Sequence, residues 1–158
     1  MTEFLVLLHV AAAFWFVAGL LGRGITIARA RSAGDVALMS HLMDLAGRFE
    51  RQMVIPGSMV VVLLGLLAAW VGEVPFTGTG NWWLLASLLL FVFIGLLVPT
   101  VFLPRGRVFE RAFEEAKAKG EITPELRTAL DDPAVRNARW LELIVVALIL
   151  TLMVTKPF

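Results

Sequence analysis

Four apolar runs, over residues 4–21, 53–71, 82–103 and 140–154, constrain this chain more than any other feature. Inside a bilayer no water reaches the backbone, so a spanning segment must satisfy its own hydrogen bonds, as a helix does. At about 1.5 Å per residue the first run covers about 27 Å, close to the thickness of a hydrocarbon core. The expected fold class is an all-α membrane protein, an antiparallel bundle of four transmembrane helices forming one domain over residues 1–158. Hydrophobic residues make up 59% of the chain and charged residues 17%, a balance that excludes a soluble enzyme or a disordered tail.

The first run competes with a cleaved leader, which needs a basic start and a small-residue cleavage site. Only Glu3 is charged ahead of the run, and Gly22-Arg23-Gly24 follows it, so a retained helix is expected. The fourth run is short, but Asp132 suits an N-cap and Pro133 a first helical position, so its helix is predicted to run from there to about Thr155. Orientation follows from the basic residues. Arg23, Arg29, Arg31, Arg48 and Arg51 lie between runs one and two, and Arg105, Arg107, Arg111, Lys117, Lys119, Arg127, Arg136 and Arg139 between runs three and four; only Lys156 falls on the other side. The positive-inside rule makes both long connections cytoplasmic in a bacterial inner membrane, with both termini outside. Trp70, Trp82 and Trp83 then suit the outer interface and Trp140 the inner one.

The cytoplasmic connections carry helical patterns of their own. Val36, Met39, Leu42, Met43, Ala46, Phe49 and Met53 recur at helical spacing, in a helix expected to enter the second span and bend near Pro56. Val108, Phe109, Ala112, Phe113 and Ala116 make a second stripe, with Arg111, Glu115 and Lys119 spaced as i,i+4 pairs on its wet face. Thr123-Pro124-Glu125 opens a short helix ending near Asp131-Asp132. These amphipathic extensions are expected to dock on protein more than on lipid, since their charge is mixed.

Few residues offer chemistry. The chain has no Cys, which excludes thiolate catalysis, Cys-based metal sites and covalent haem attachment. A net charge of +1 gives no field for nucleic acid. The turn Phe76-Thr77-Gly78-Thr79-Gly80 lacks the lysine of a phosphate-binding loop, and no catalytic triad or paired carboxylate site is visible. His9 is the one ionisable residue deep in the first span, where three roles are open: a hydrogen bond to another span, ligation of haem or metal, or proton transfer. Counting outward from the basic boundaries puts Gly65, Phe91 and Met153 near its depth, and Met153 is a weak second axial ligand. His41 reads as an interfacial histidine on the other side. Glu142 suits the inner interface in a structural ion pair with Arg139, or with Arg23 or Arg51. Two small-xxx-small spacings, Ala18 to Gly22 and Gly65 to Ala69, mark close helix approach.

The stretch Leu7-Leu8-His9-Val10-Ala11-Ala12-Ala13-Phe14-Trp15-Phe16-Val17-Ala18-Gly19 sets a Leu-His pair before small residues, Trp and Gly. It resembles the opening helix of several bacterial membrane families. One is an uncharacterised family of predicted four-span integral membrane proteins, similar over most of this chain, including Trp82-Trp83 and the final span. The pattern is also distantly similar to the copper-resistance D domain and the membrane protoporphyrinogen oxidase family. Those two likenesses imply a metal- or haem-linked histidine at His9, and the second histidine they imply in a later helix has no counterpart here.

The functions expected are, in order, a structural or accessory subunit of an inner-membrane complex, a haem b or metal-binding redox protein using His9, and a small transporter or channel. Besides the lipid bilayer, a partner is expected, either a second copy or a larger membrane complex. Phe14, Trp15, Phe16, Phe91 and Phe93 cannot all point into so narrow a bundle.

Overall fold

Polar caps followed by proline set the helix starts. Asp132 accepts from the amides of Ala134 at 2.8 Å and Val135 at 3.4 Å, with Pro133 opening the helix behind it. Thr123 accepts from the amide of Leu126 at 3.2 Å, ahead of Pro124. Both caps satisfy amides that have no intrahelical partner. The computed structural model describes residues 1–76 and 80–157, so part of the turn expected at 76–80 lies outside the described residues. Its helices are α1 (Thr2–Arg31), α2 (Val36–Phe49), α3 (Ile55–Val71), α4 (Trp82–Leu97), α5 (Leu103–Lys119), α6 (Pro124–Leu130) and α7 (Pro133–Thr155). No strand occurs among the described residues.

Two π turns join neighbouring helices without a break. Glu50–Val54 links α2 to α3, and Val98–Phe102 links α4 to α5. Each lies by proline: Pro56 just after the first, Pro99 within the second and Pro104 just after it. Proline lacks an amide donor and crowds the carbonyl of the preceding turn. Widening that turn by one residue, so that Ile55 donates to Glu50 O and Leu103 to Val98 O, relieves the crowding and keeps the helix going. Among the described residues, four stretches are long and apolar enough to cross a membrane: Thr2–Arg31, Val36–Val71 and Trp82–Lys119, the last two carried through their π turns, and Pro124–Thr155. The first passes through Gly22-Arg23-Gly24, where an end was expected, and carries Arg29 and Arg31 in its last turn.

The chain divides into two compact units, Met1–Gly34 with Leu38–Pro75, and Asp35–Ala37 with Phe76–Phe158. In the first, α1 and α3 pack antiparallel with a heptad-like register. Thr2, His9 and Phe16 meet Gly72, Gly65 and Gly57 in turn, and beyond them Gly19 meets Met53 and Val54 and Gly22 meets Phe49. Each glycine removes a side chain where a neighbour must come close. Gly57 has Phe16 Cα and Cβ only 3.1 Å from where its own Cβ would stand. Phe16, Gly19 and Leu20 are buried here.

In the second unit α4 and α7 form the other antiparallel pair. Lys156 Nζ lies 5.3 Å over the Trp83 ring at one end, and Arg105 pairs with Asp132 at 3.1 Å at the other. Leu84, Ser87 and Ile94 on α4 and Ala138, Val145 and Val146 on α7 are buried. The amphipathic stripes are buried too: Val36, Met39 and Ala46 on α2, and Ala112, Phe113 and Ala116 on α5, which packs on α6.

Candidate functional site

His9 sits on the face of α1 that meets α3. Its Nδ1 is 2.9 Å from the carbonyl oxygen of Val61. A carbonyl only accepts, so Nδ1 carries the proton in this contact. Glycine makes this contact possible. A Cβ on Gly65 would stand 2.9 Å from His9 Cε1 and 3.1 Å from Nδ1, so any other residue there would hold the ring away. Val61 lies one helical turn before Gly65, and the missing side chain uncovers its carbonyl. Ala12, one turn further along α1, is buried.

Fourteen residues along α1, Arg23 Nη1 donates to Glu50 Oε2 at 2.5 Å. Arg23 is 13% exposed and Glu50 36%. Glu50 opens the π turn, so this ion pair fixes the wide turn against α1. At this depth a carboxylate without its arginine would be costly. The two polar contacts therefore clip α1 to α3–π at two levels.

The other residues singled out from sequence are spread over both units. Gly22 and Ala69 lie in the first, Gly22 against Phe49 and Ala69 buried on α3. Ala18, expected at the close approach with Gly22, is exposed; the neighbouring Gly19 makes that approach instead. His41 is exposed on α2. Met153, Arg139 and Glu142 belong to α7 in the second unit, all partly buried, and neither Arg139 nor Glu142 is free. Three or more His, Asp or Glu side chains do not gather into a metal-binding group among the described residues.

Val108, Pro124, Glu125, Thr128, Ala129, Asp132 and Pro133 line an open groove of ≈ 590 Å³. On α5, Lys119 pairs with Glu115 at 2.6 Å and Lys117 with Glu114 at 3.2 Å. The Glu115 hydrogen bond and its charge raise the Lys119 pKa above 10.5.

Val61 and Glu50 were absent from the sequence reading. A backbone acceptor carries no residue signature, although the spacing of Gly57, Gly65 and Gly72 marks the helix face that receives α1. Glu50 had a signal: it is an acid at the edge of an apolar run, with arginines at the edge of another.

Four candidate spans, with histidine docked on glycine in the first pair, meet a direct counterpart in sequence. A family model described as "Predicted integral membrane protein (DUF2269)" matches residues 3–157. The chain belongs to this family. The DUF2269 match covers residues of all seven helices and of both units. No curated protein and no solved structure matches the chain. The DUF2269 description agrees with four helices of membrane-spanning length and apolar character.

Proposed function

We propose that this DUF2269 protein is an accessory subunit of a bacterial inner-membrane complex, joined to its partner through the outer face of α1. The observation that carries this reading is a seam at alternating spacings of three and four: Phe4, Leu7, Ala11, Phe14, Ala18, Leu21 and Ile25, all exposed. The seam runs about 32 Å, the height of a bilayer core. Its repeat is that of helices packing at a shallow angle, and Ala11 and Ala18 leave hollows between large side chains. Phe14 is 73% exposed here, while Phe16 on the opposite side is 6% exposed. The occupant is another transmembrane helix. The positive-inside bias puts both termini outside and α2, α5 and α6 in the cytoplasm.

Cysteine crosslinking tests the seam cleanly, because the chain has no Cys. Ala18→Cys in native membranes is expected to give a crosslinked product, a dimer for a second copy or a heavier species for another protein. Met59→Cys, exposed on α3, is expected to give none. A monomer at both positions, with a monomeric mass in mild detergent, overturns the subunit reading. Orientation is read separately: Pro75→Cys should label from outside intact spheroplasts and Lys117→Cys only after lysis.

A second reading, haem b held by His9, is favoured by the Val61 contact. Histidine ligands commonly donate one ring nitrogen to a carbonyl while the other binds iron, and His9 makes the first of these contacts through Nδ1. The residues of this unit fit a single axial ligand. When bound, haem would supply one-electron chemistry; His9 would hold and orient it. A Soret band from haem-replete cells, lost in His9→Ala, supports this reading, and a colourless protein overturns it.

A further inference from the structure

The long helix of the first unit carries one exposed face across the π turn. Arg48 and Arg51 stand above it, and Ile55, Met59, Leu63, Leu67 and Trp70 continue it, all exposed. From Arg51 to Trp70 the face measures about 29 Å, the height of a hydrocarbon core. The stripe is made of large apolar residues closed at one end by tryptophan, and at the other by two arginines.

Arg51 lies back along α2. A Cβ on Gly47 would lie 3.3, 3.6 and 3.7 Å from Arg51 Nη1, Nη2 and Cζ. Three such similar distances mean that the guanidinium lies across the glycine, one turn back along α2. Helical side chains lean toward the N-terminus, which here is away from the span and into the headgroup layer. Neither Arg48 nor Arg51 makes an ion pair among the described residues. Of the acids nearby, Glu50 pairs with Arg23, and Asp44 lies one turn beyond Arg48, further from the span.

We propose that Arg48 and Arg51 bind the phosphodiester of an anionic phospholipid whose acyl chain lies along Ile55, Met59 and Leu63. A planar guanidinium offers paired donors to phosphate oxygens, and the apolar stripe beneath selects a lipid over a free phosphate ion. The site lies in the leaflet next to α2, independent of what covers α1.

The test uses the full chain reconstituted into phosphatidylcholine vesicles with a minor fraction of spin-labelled phosphatidylglycerol. Preference for phosphatidylglycerol over an equally labelled phosphatidylcholine is expected to fall about fivefold in Arg51→Gln, and further with Arg48→Gln. Arg127→Gln, which removes an exposed charge from α6, should leave it unchanged. Gly47→Val keeps every charge but displaces the guanidinium, and should lower the preference too. Equal losses in Arg51→Gln and Arg127→Gln would mean a diffuse field and overturn the site, as would an unaltered preference in Gly47→Val. Helix content by circular dichroism confirms that each variant folds.

Discussion

The two helix pairs are held together in different ways. In the first unit, glycines bring α1 and α3 close, and polar contacts sit within the interface: His9 on the Val61 carbonyl and Arg23 on Glu50. In the second, α4 and α7 bury Leu84, Ile94, Val145 and Val146, while serine and threonine hydroxyls return to their own helices, as Ser87 does to Trp83 O and Thr151 to Ala147 O. Arg105 on Asp132 and Lys156 on Trp83 fasten its two ends. Lipid gives helices no hydrophobic reason to associate, so close backbone approach and interhelical hydrogen bonds must supply the attraction. The first pair uses both along its length, and the second adds fastened ends to its side-chain packing.

Glycine substitution should separate the pairs most strongly. Gly57→Ala puts a methyl 3.1 Å from the Phe16 backbone and is expected to cost about 1–3 kcal/mol in a reversible detergent unfolding titration. Gly95→Ala on α4, where nothing lies within 4 Å, should be neutral or stabilise by up to about 1 kcal/mol. Equal losses at both would break the comparison. In the second unit the largest effect should come from an end. Asp132→Ala removes the α7 cap and the Arg105 partner together, at about 1–2 kcal/mol, and Asp132→Asn, which still caps, should lose only a fraction of that. Amide exchange at Ala134 and Val135 reads this out locally.

A smaller effect is expected at the histidine clip. His9→Phe should cost about 0.6–1.7 kcal/mol, the range of interhelical hydrogen bonds in membranes. A double-mutant cycle of His9→Ala with Gly65→Ala sharpens the point: the second substitution should cost little once no ring lies against Gly65, whereas strict additivity would separate the two. The smallest effect belongs to α5. Glu115→Gln should return the Lys119 pKa toward 10.5, measurable by NMR, with no detectable change in thermal stability. A raised lysine contributes fully below its ordinary value and loses that contribution only above it, so stability at neutral pH should not depend on this pair.

Local signals were the most legible. Asp132 with Pro133 and Thr123 with Pro124 marked two helix starts to the residue, because a cap uses side chains within a single turn. The four spans were legible from length and hydropathy, and counting from the basic boundaries put Gly65 at the depth of His9, where the two are in contact. The end of α1 was not legible. Gly22-Arg23-Gly24 looks like a stop, but Gly22 admits Phe49 and Arg23 finds Glu50, so packing outweighs poor helix propensity. The choice between Ala18 and Gly19 turned on helical phase, which an all-round apolar run does not encode. Where a bend was expected near Pro56, the backbone has a π turn just ahead of the proline, a matter of backbone bonding that residue type alone does not specify.

That wide turn also changes what the chain tolerates by insertion and deletion. A π turn is an α-helix with one residue added, so α2 and α3 flank a surplus position at Glu50–Val54. Removing Gln52, which is exposed, would draw the turn back to ordinary α geometry while both flanks keep their facing. The same deletion elsewhere in Val36–Val71 would swing one half of the helix by about 100° and slide it by about 1.5 Å, pulling either the glycines of α3 off α1 or the apolar residues of α2 out of their burial. A single-residue deletion scan along this helix should therefore find its tolerant window at the π turn, a length reserve written into the backbone.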